Sequence, residues 1–221
     1  MCASASGAQR PTVGGELRAA FEAVQRNRTE LAVGCLSVLF LVLFRYRPLE
    51  TSWQTQLLYM GVLPVLSIVL LLRRNPLDFG LRLGAYRVWA LHLAVAMPVT
   101  LPLLWLSARS AGLQRYYAQA VFDPLEYAVT TALGLLGWEY LCRGFLLFGL
   151  RDRLKEAAII VQMIPFTLLH FGKPEEETLA CIGSGIYFGY LAYRGNSFWP
   201  AFLFHVYINL TLKALVVYGP S

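Results

Sequence analysis

From Leu31 almost to the C-terminus, the chain is a succession of apolar runs separated by short clusters of charge, proline and glycine. A spanning helix needs about 20 mostly apolar residues, within a range of about 17–25. Seven stretches qualify, roughly 29–45, 53–72, 86–107, 126–150, 156–172, 178–194 and 198–218, with the first and fifth near the short limit. Backbone polar groups in hydrocarbon must be satisfied within the chain, so such runs fold as helices. Only 14% of the residues are charged and 57% are hydrophobic, with a mean hydropathy of +0.53. A soluble domain carries about 25% charged residues, so this chain has too few charges to clothe a water-facing surface. The sequence predicts an all-α polytopic transmembrane bundle of about seven spans. Residues 1–28 read as a cytoplasmic tail with an amphipathic helix, and residues 29–221 as the membrane domain. The stretch Leu113 to Phe122 reads as an interfacial helix, since Arg115, Tyr116 and Tyr117 suit the headgroup level.

The net charge of +6 does not gather into a basic stripe interleaved with aromatics, which argues against a nucleic-acid partner. It reads as cationic loops beside anionic lipid, so the bilayer itself is the first predicted partner. The loops that alternate along the chain carry twelve Lys and Arg on one side, among them Arg73, Arg74, Arg151 and Arg153, and five on the other, including Arg109, Arg115 and Lys173. The positive-inside rule then puts the N-terminus in the cytoplasm and the C-terminus outside, in what reads as the plasma (inner) membrane. Cys2, Cys35, Cys142 and Cys181 lie far apart and form no CxxC or Cys/His zinc spacing, so the sequence predicts no metal or other cofactor and no disulfide framework.

Ionisable groups at membrane depth are costly and mark functional or structural sites. Glu139 and Arg143, in GWEYLCRGFLLF, share a helix face at a spacing of four and can neutralise one another. His170 ends the run PFTLLH; His205 begins HVYIN, which puts Asn209 one turn beyond it on the same face. His92, flanked by leucines, reads as a satisfied or interfacial histidine. A carboxylate and a neutral imidazole can hold and deprotonate a water, while an imidazole N–H and an Asn amide can donate to the oxyanion of a tetrahedral intermediate. The set Glu139, His170, His205 and Asn209 therefore suits peptide hydrolysis within the membrane. At a rise of about 1.5 Å per residue, Glu139, His170 and Asn209 lie about 18–21 Å from their loops, with His205 about 6 Å nearer the cytoplasm. A Glu/His/His metal site is an alternative, but no HExxH helix supports it.

Three short motifs carry a resemblance. GWEYLCRG looks like the EExxxR motif of the CPBP intramembrane proteases, the CAAX-protease and bacteriocin-processing (Abi) family. PFTLLH is similar to the FxxxH motif at Phe166 and His170, and HVYIN to HxxxN/D at His205 and Asn209. LDFGLRLG, Leu77 to Gly84, resembles a segment that precedes the family core, so the resemblance covers about 77–215. It implies a glutamic-type, metal-independent endopeptidase acting on a membrane-anchored peptide or protein, of CAAX-tail, leader or sorting-tag type. It also implies that His170 helps activate the water, that His205 and Asn209 form the oxyanion site, and that Arg143 orients the acidic motif. With Arg143 aligned, Glu139 falls on the second Glu of EExxxR, and Trp138 replaces the first, which the family uses as base. Adjacent helix residues point about 100° apart, which leaves three readings open. Glu139 is the base on a slightly rotated helix; Glu177 or a neighbour in KPEEE supplies it; or activity is lost and the chain is a membrane scaffold or immunity protein. A secondary transporter is disfavoured by the lack of an inverted repeat.

Overall fold

A computed structural model describes residues 12–118 and 123–219. The described residues form nine helices and no strands. These are α1 (Val13–Arg26), α2 (Arg28–Tyr46), α3 (Ser52–Leu70), α4 (Tyr86–Ser107), α5 (Ala111–Tyr117), α6 (Pro124–Leu154), α7 (Ala157–Leu168), α8 (Glu175–Gly195) and α9 (Trp199–Tyr218). Each predicted span is occupied by a helix, and α2, α3, α4, α6 and α9 are long and apolar enough to cross a membrane. The chain is an integral membrane protein.

The helices depart from their predicted limits by a few residues, with α6 running on to Leu154. The fifth run shortens to the twelve residues of α7, because Leu169 and His170 close it as a turn and Phe171–Lys173 form a bridge. The interfacial helix is Ala111–Tyr117, capped by Ser110, whose hydroxyl accepts from the Gly112 and Leu113 amides at 3.2 and 3.4 Å. Its Tyr116 is exposed, but Leu113 and Tyr117 turn inward against Leu212 and Val216. Residues 119–122, the rest of the predicted segment, lie outside the described residues, as do residues 1–11 with Cys2.

The central element is α6. Asp123 caps its start, accepting from the Leu125 and Glu126 amides at 2.8 and 3.0 Å, and Pro124 takes the first helical position, where no N–H is needed. Its most apolar 18-residue window is 89% buried, against 6% for α4, so the bundle wraps around α6 and leaves α4 to the lipid. Close approach to α3 rests on Gly61 and Gly137: a Cβ on Gly61 would stand 3.3 Å from the Gly137 Cα, and one on Gly137 would meet the Leu57 Cα at 3.0 Å. Both helices widen into a π turn at this level, at Leu57–Val62 and at Tyr140–Leu146. The first directly precedes Pro64, which has no N–H to donate to the Met60 carbonyl.

Polar ties sort the loops onto two ends of the bundle. At one end Arg151 donates to Asn196 Oδ1 at 2.7 Å, the Ala85 amide donates to the Gly195 carbonyl and the Phe198 amide to the Gly80 carbonyl. The segment Leu77–Gly84 is thus the strap that seats the α8–α9 turn, with Trp199 Nε1 donating to the Leu81 carbonyl at 3.0 Å. At the other end, Ser110 bonds Glu176, and the Tyr117 hydroxyl donates to the Glu177 carboxylate at 2.9 Å. The α7–α8 turn therefore reaches the same end as α5.

Candidate active site

Glu139 closes the regular part of α6 and Arg143 lies inside the π turn that follows. Neither has any exposed surface, and Arg143 Nη1 donates to Glu139 Oε1 at 2.9 Å. The guanidinium is further held by the ring of Phe166, 3.8 Å from its centroid, and by the Gly185 carbonyl at 3.5 Å. Gln162, also fully buried, donates to the same carbonyl at 2.8 Å. Gly185 and Gly189 let α8 lie close enough on α7 for these bonds, since a Cβ at 185 would meet Met163 Cγ at 2.9 Å.

The two histidines arrive from α9 and from the end of α7. His205 Nδ1 lies 2.7 Å from Glu139 Oε1, so one carboxylate oxygen joins α6 to α9. His170 Nδ1 lies 2.8 Å from the Phe166 carbonyl. A carbonyl only accepts, so this Nδ1 carries the proton and Nε2 keeps the lone pair. The His170 and His205 rings stack at 26° with centroids 6.2 Å apart, inside a box closed by Phe166 and Phe188. The adjacent positions of α6 divide between them: Trp138 packs edge-on against His170 with centroids 5.3 Å apart, while Glu139 holds His205. Trp138 Nε1 and Glu139 Oε2 are buried without a hydrogen-bond partner among the described residues.

Four of the five predicted site residues, Glu139, Arg143, His170 and His205, form one cluster. Asn209 does not join it: half-buried one turn along α9, it makes no hydrogen bond to the other four. Rise from the loops placed Asn209 level with Glu139 and His205 nearer the cytoplasm; the structure puts His205 level instead. The α8–α9 turn is tied to the Gly80 and Leu81 carbonyls, so the rise along α9 does not start from the same plane as the other loops. Glu175–Glu177 form the first turn of α8 rather than a loop, where the helix dipole favours acids. Glu177 is engaged by Tyr117 and by Lys173 at 2.7 Å. Burial, and then the Glu177 charge, push the Tyr117 phenol above its ordinary range, so it remains a donor. His92 is exposed on α4, its Nδ1 2.8 Å from the Val88 carbonyl.

The buried polar residues that the sequence did not single out include Gln162 within AAIIVQMIPF, and Lys213, whose Nζ donates to the Tyr117 carbonyl at 2.5 Å. A single polar residue in an apolar run was the available signal for both. Among the described residues, no three His, Cys, Asp or Glu side chains are grouped as metal ligands.

Residues 120–211, which contain all five site residues, match the model of the type II CAAX prenyl endopeptidase Rce1-like family. Over this stretch the chain is similar to the CAAX-protease family. No curated protein and no solved structure matches the chain. The family is one of membrane peptidases, and its model begins just ahead of Asp123 and ends two residues past Asn209. The strap at Leu77–Gly84 and helices α1–α5 lie outside it.

Proposed function

We propose that the chain is an intramembrane endopeptidase of glutamic type, independent of metal, in which Glu139 and His205 act as one base. The observation that carries this reading is the single carboxylate oxygen held by Arg143 at 2.9 Å and facing His205 Nδ1 at 2.7 Å, with His170 stacked beside it. With Nδ1–H given to the carboxylate, His205 keeps a lone pair on Nε2. Water binds between this nitrogen and His170 Nε2, loses its proton to His205 and attacks the scissile carbonyl carbon through oxygen. Glu139 stabilises the imidazolium so formed. The Asn209 amide and the Trp138 indole N–H donate to the oxyanion. On collapse the C–N bond breaks and His205 returns the proton to the leaving nitrogen.

The substrate is a membrane-anchored protein or peptide, in keeping with a CAAX-family match and with a cluster sunk in the bundle. Cleavage of a prenylated CAAX peptide by the purified chain in lipid vesicles, read by mass spectrometry, tests the reading. Glu139→Gln, His170→Ala and His205→Ala each reduce turnover by about 10²–10⁴-fold; full turnover in the His170 variant would overturn the water-binding role.

A second reading rests on Trp138, which occupies the space beside His170. It makes the chain a non-catalytic scaffold of the same fold. In that case the wild type is inert, and Trp138→Glu, which sets a carboxylate against His170, gains hydrolysis.

A further inference from the structure

Outside the site, the most unusual electrostatics lie where the start of α2 meets the end of α3. A cleft of about 810 Å³ is lined there by Arg28, Thr29, Ala32, Leu71, Leu72, Arg73 and Arg74. Three guanidiniums share it with no acid in its walls, and none of them has a carboxylate partner among the described residues. Backbone geometry adds an independent sign. Arg73 closes the end of α3 at φ 51°, with the Leu72 and Arg74 amides folded back to the Ser67 and Ile68 carbonyls. Glycine or asparagine takes such a position at least cost, so an arginine held there in left-handed conformation marks a use for its charge.

The neighbouring helix sets the depth. Along α1, Val13, Leu17, Phe21 and Val24 form one stripe and are 76, 67, 64 and 53% exposed, with the Arg18–Glu22 pair on another face. A helix of this pattern lies in the headgroup plane with its apolar stripe toward the acyl chains. It ends at Arg26, with Asn27 alone between it and α2, so the cleft opens at phosphate level. Leu70 and Leu71, each 65% exposed, offer apolar surface below it.

We propose that this cleft binds the phosphate of an anionic phospholipid, with Arg28, Arg73 and Arg74 as its ligands and the acyl chains lying along Leu70 and Leu71. Guanidiniums match phosphate oxygens in geometry as well as charge. Occupancy ties the start of α2 to the end of α3.

The test is a thermal melt of the full purified chain in detergent, titrated with short-chain phosphatidylglycerol, with phosphatidylcholine of the same chain length, or with inorganic phosphate. Phosphatidylglycerol raises Tm saturably and the other two do not. Arg28→Gln with Arg74→Gln weakens the apparent affinity by about 25-fold, about fivefold per guanidinium, whereas Arg45→Gln with Arg47→Gln at the opposite end leaves it unchanged. Arg73→Gly moves two readouts oppositely, raising the lipid-free Tm by relieving the backbone while weakening phosphatidylglycerol about fivefold. The proposal is overturned by an equal shift with inorganic phosphate or phosphatidylcholine, by wild-type affinity in the Arg28/Arg74 variant, or by an equal loss in the Arg45/Arg47 control.

Discussion

Arg143 is the residue on which the site's electrostatics turn, because its charge is buried together with that of Glu139. Replacing a buried pair by apolar groups is often tolerated, but removing one partner strands the other and costs about 3–5 kcal/mol. Arg143→Met should therefore lower stability by about that amount, and Glu139→Gln in the same background should restore part of it; melting the three variants side by side measures the coupling. Arg143→Lys keeps the charge but loses the flat face that lies on the Phe166 ring, so it should fall between wild type and Arg143→Met. The pair itself was readable from the sequence, since a spacing of four defines a helix face. His205 was legible as a site residue too, but its direct bond to Glu139 was not. Which oxygen meets His205 depends on how far α9 is drawn in by the Leu77–Gly84 strap, a tertiary contact that periodicity does not encode. Trp138 shows the same limit: its identity flagged a departure, but only packing reveals that positions 138 and 139 serve different histidines.

At the scale of elements, the crossing of α3 and α6 sets where the π turn, and hence Glu139 and Arg143, can sit. Any side chain at 137 must displace the α3 backbone near Gln56 and Leu57. Gly137→Val should cost about 1–3 kcal/mol through overpacking, and activity should fall further than stability as α6 shifts against His205. Measuring Tm and turnover on the same preparation separates the two effects. A different element is pinned by Tyr117, whose hydroxyl bonds Glu177 and whose carbonyl accepts from Lys213. Tyr117→Phe removes a hydrogen bond to a charged acceptor, worth about 1.5–3 kcal/mol, and should speed proteolysis of the α5 region without unfolding the bundle. Helix number and order were visible as apolar runs. The π turns were not, since an extra residue in a turn leaves hydropathy unchanged.

For the molecule as a whole, the polar ties decide which loops share a side, independently of any count of positive charge. The strap after α3, the α6–α7 region at Arg151 and the α8–α9 turn are bonded together; the α4–α5 and α7–α8 connections are bonded at the other end. The hairpin of α7 and α8 thus traverses the bundle even though α7, at twelve residues, is only about 18 Å long. It reaches the far end because His170–Pro174 continue the path as extended turns before α8 begins. We propose an odd number of crossings, which puts the start of α2 and the end of α9 on opposite faces of the membrane. We propose that the first group of loops, which holds Arg73, Arg74 and Arg82 with Arg151 at the end of α6 beside it, faces the cytoplasm, as the positive-inside rule directs. Single cysteines placed at Asn75 and Arg153 in a background lacking Cys2, Cys35, Cys142 and Cys181 should therefore react with an impermeant maleimide only after the cells are opened. Cysteines at Arg109 and Gly172 should react in intact cells. Labelling of Gly172 together with Asn75 would mean that α7 and α8 form a re-entrant pair and that the ties at Ser110 and Tyr117 belong within the membrane.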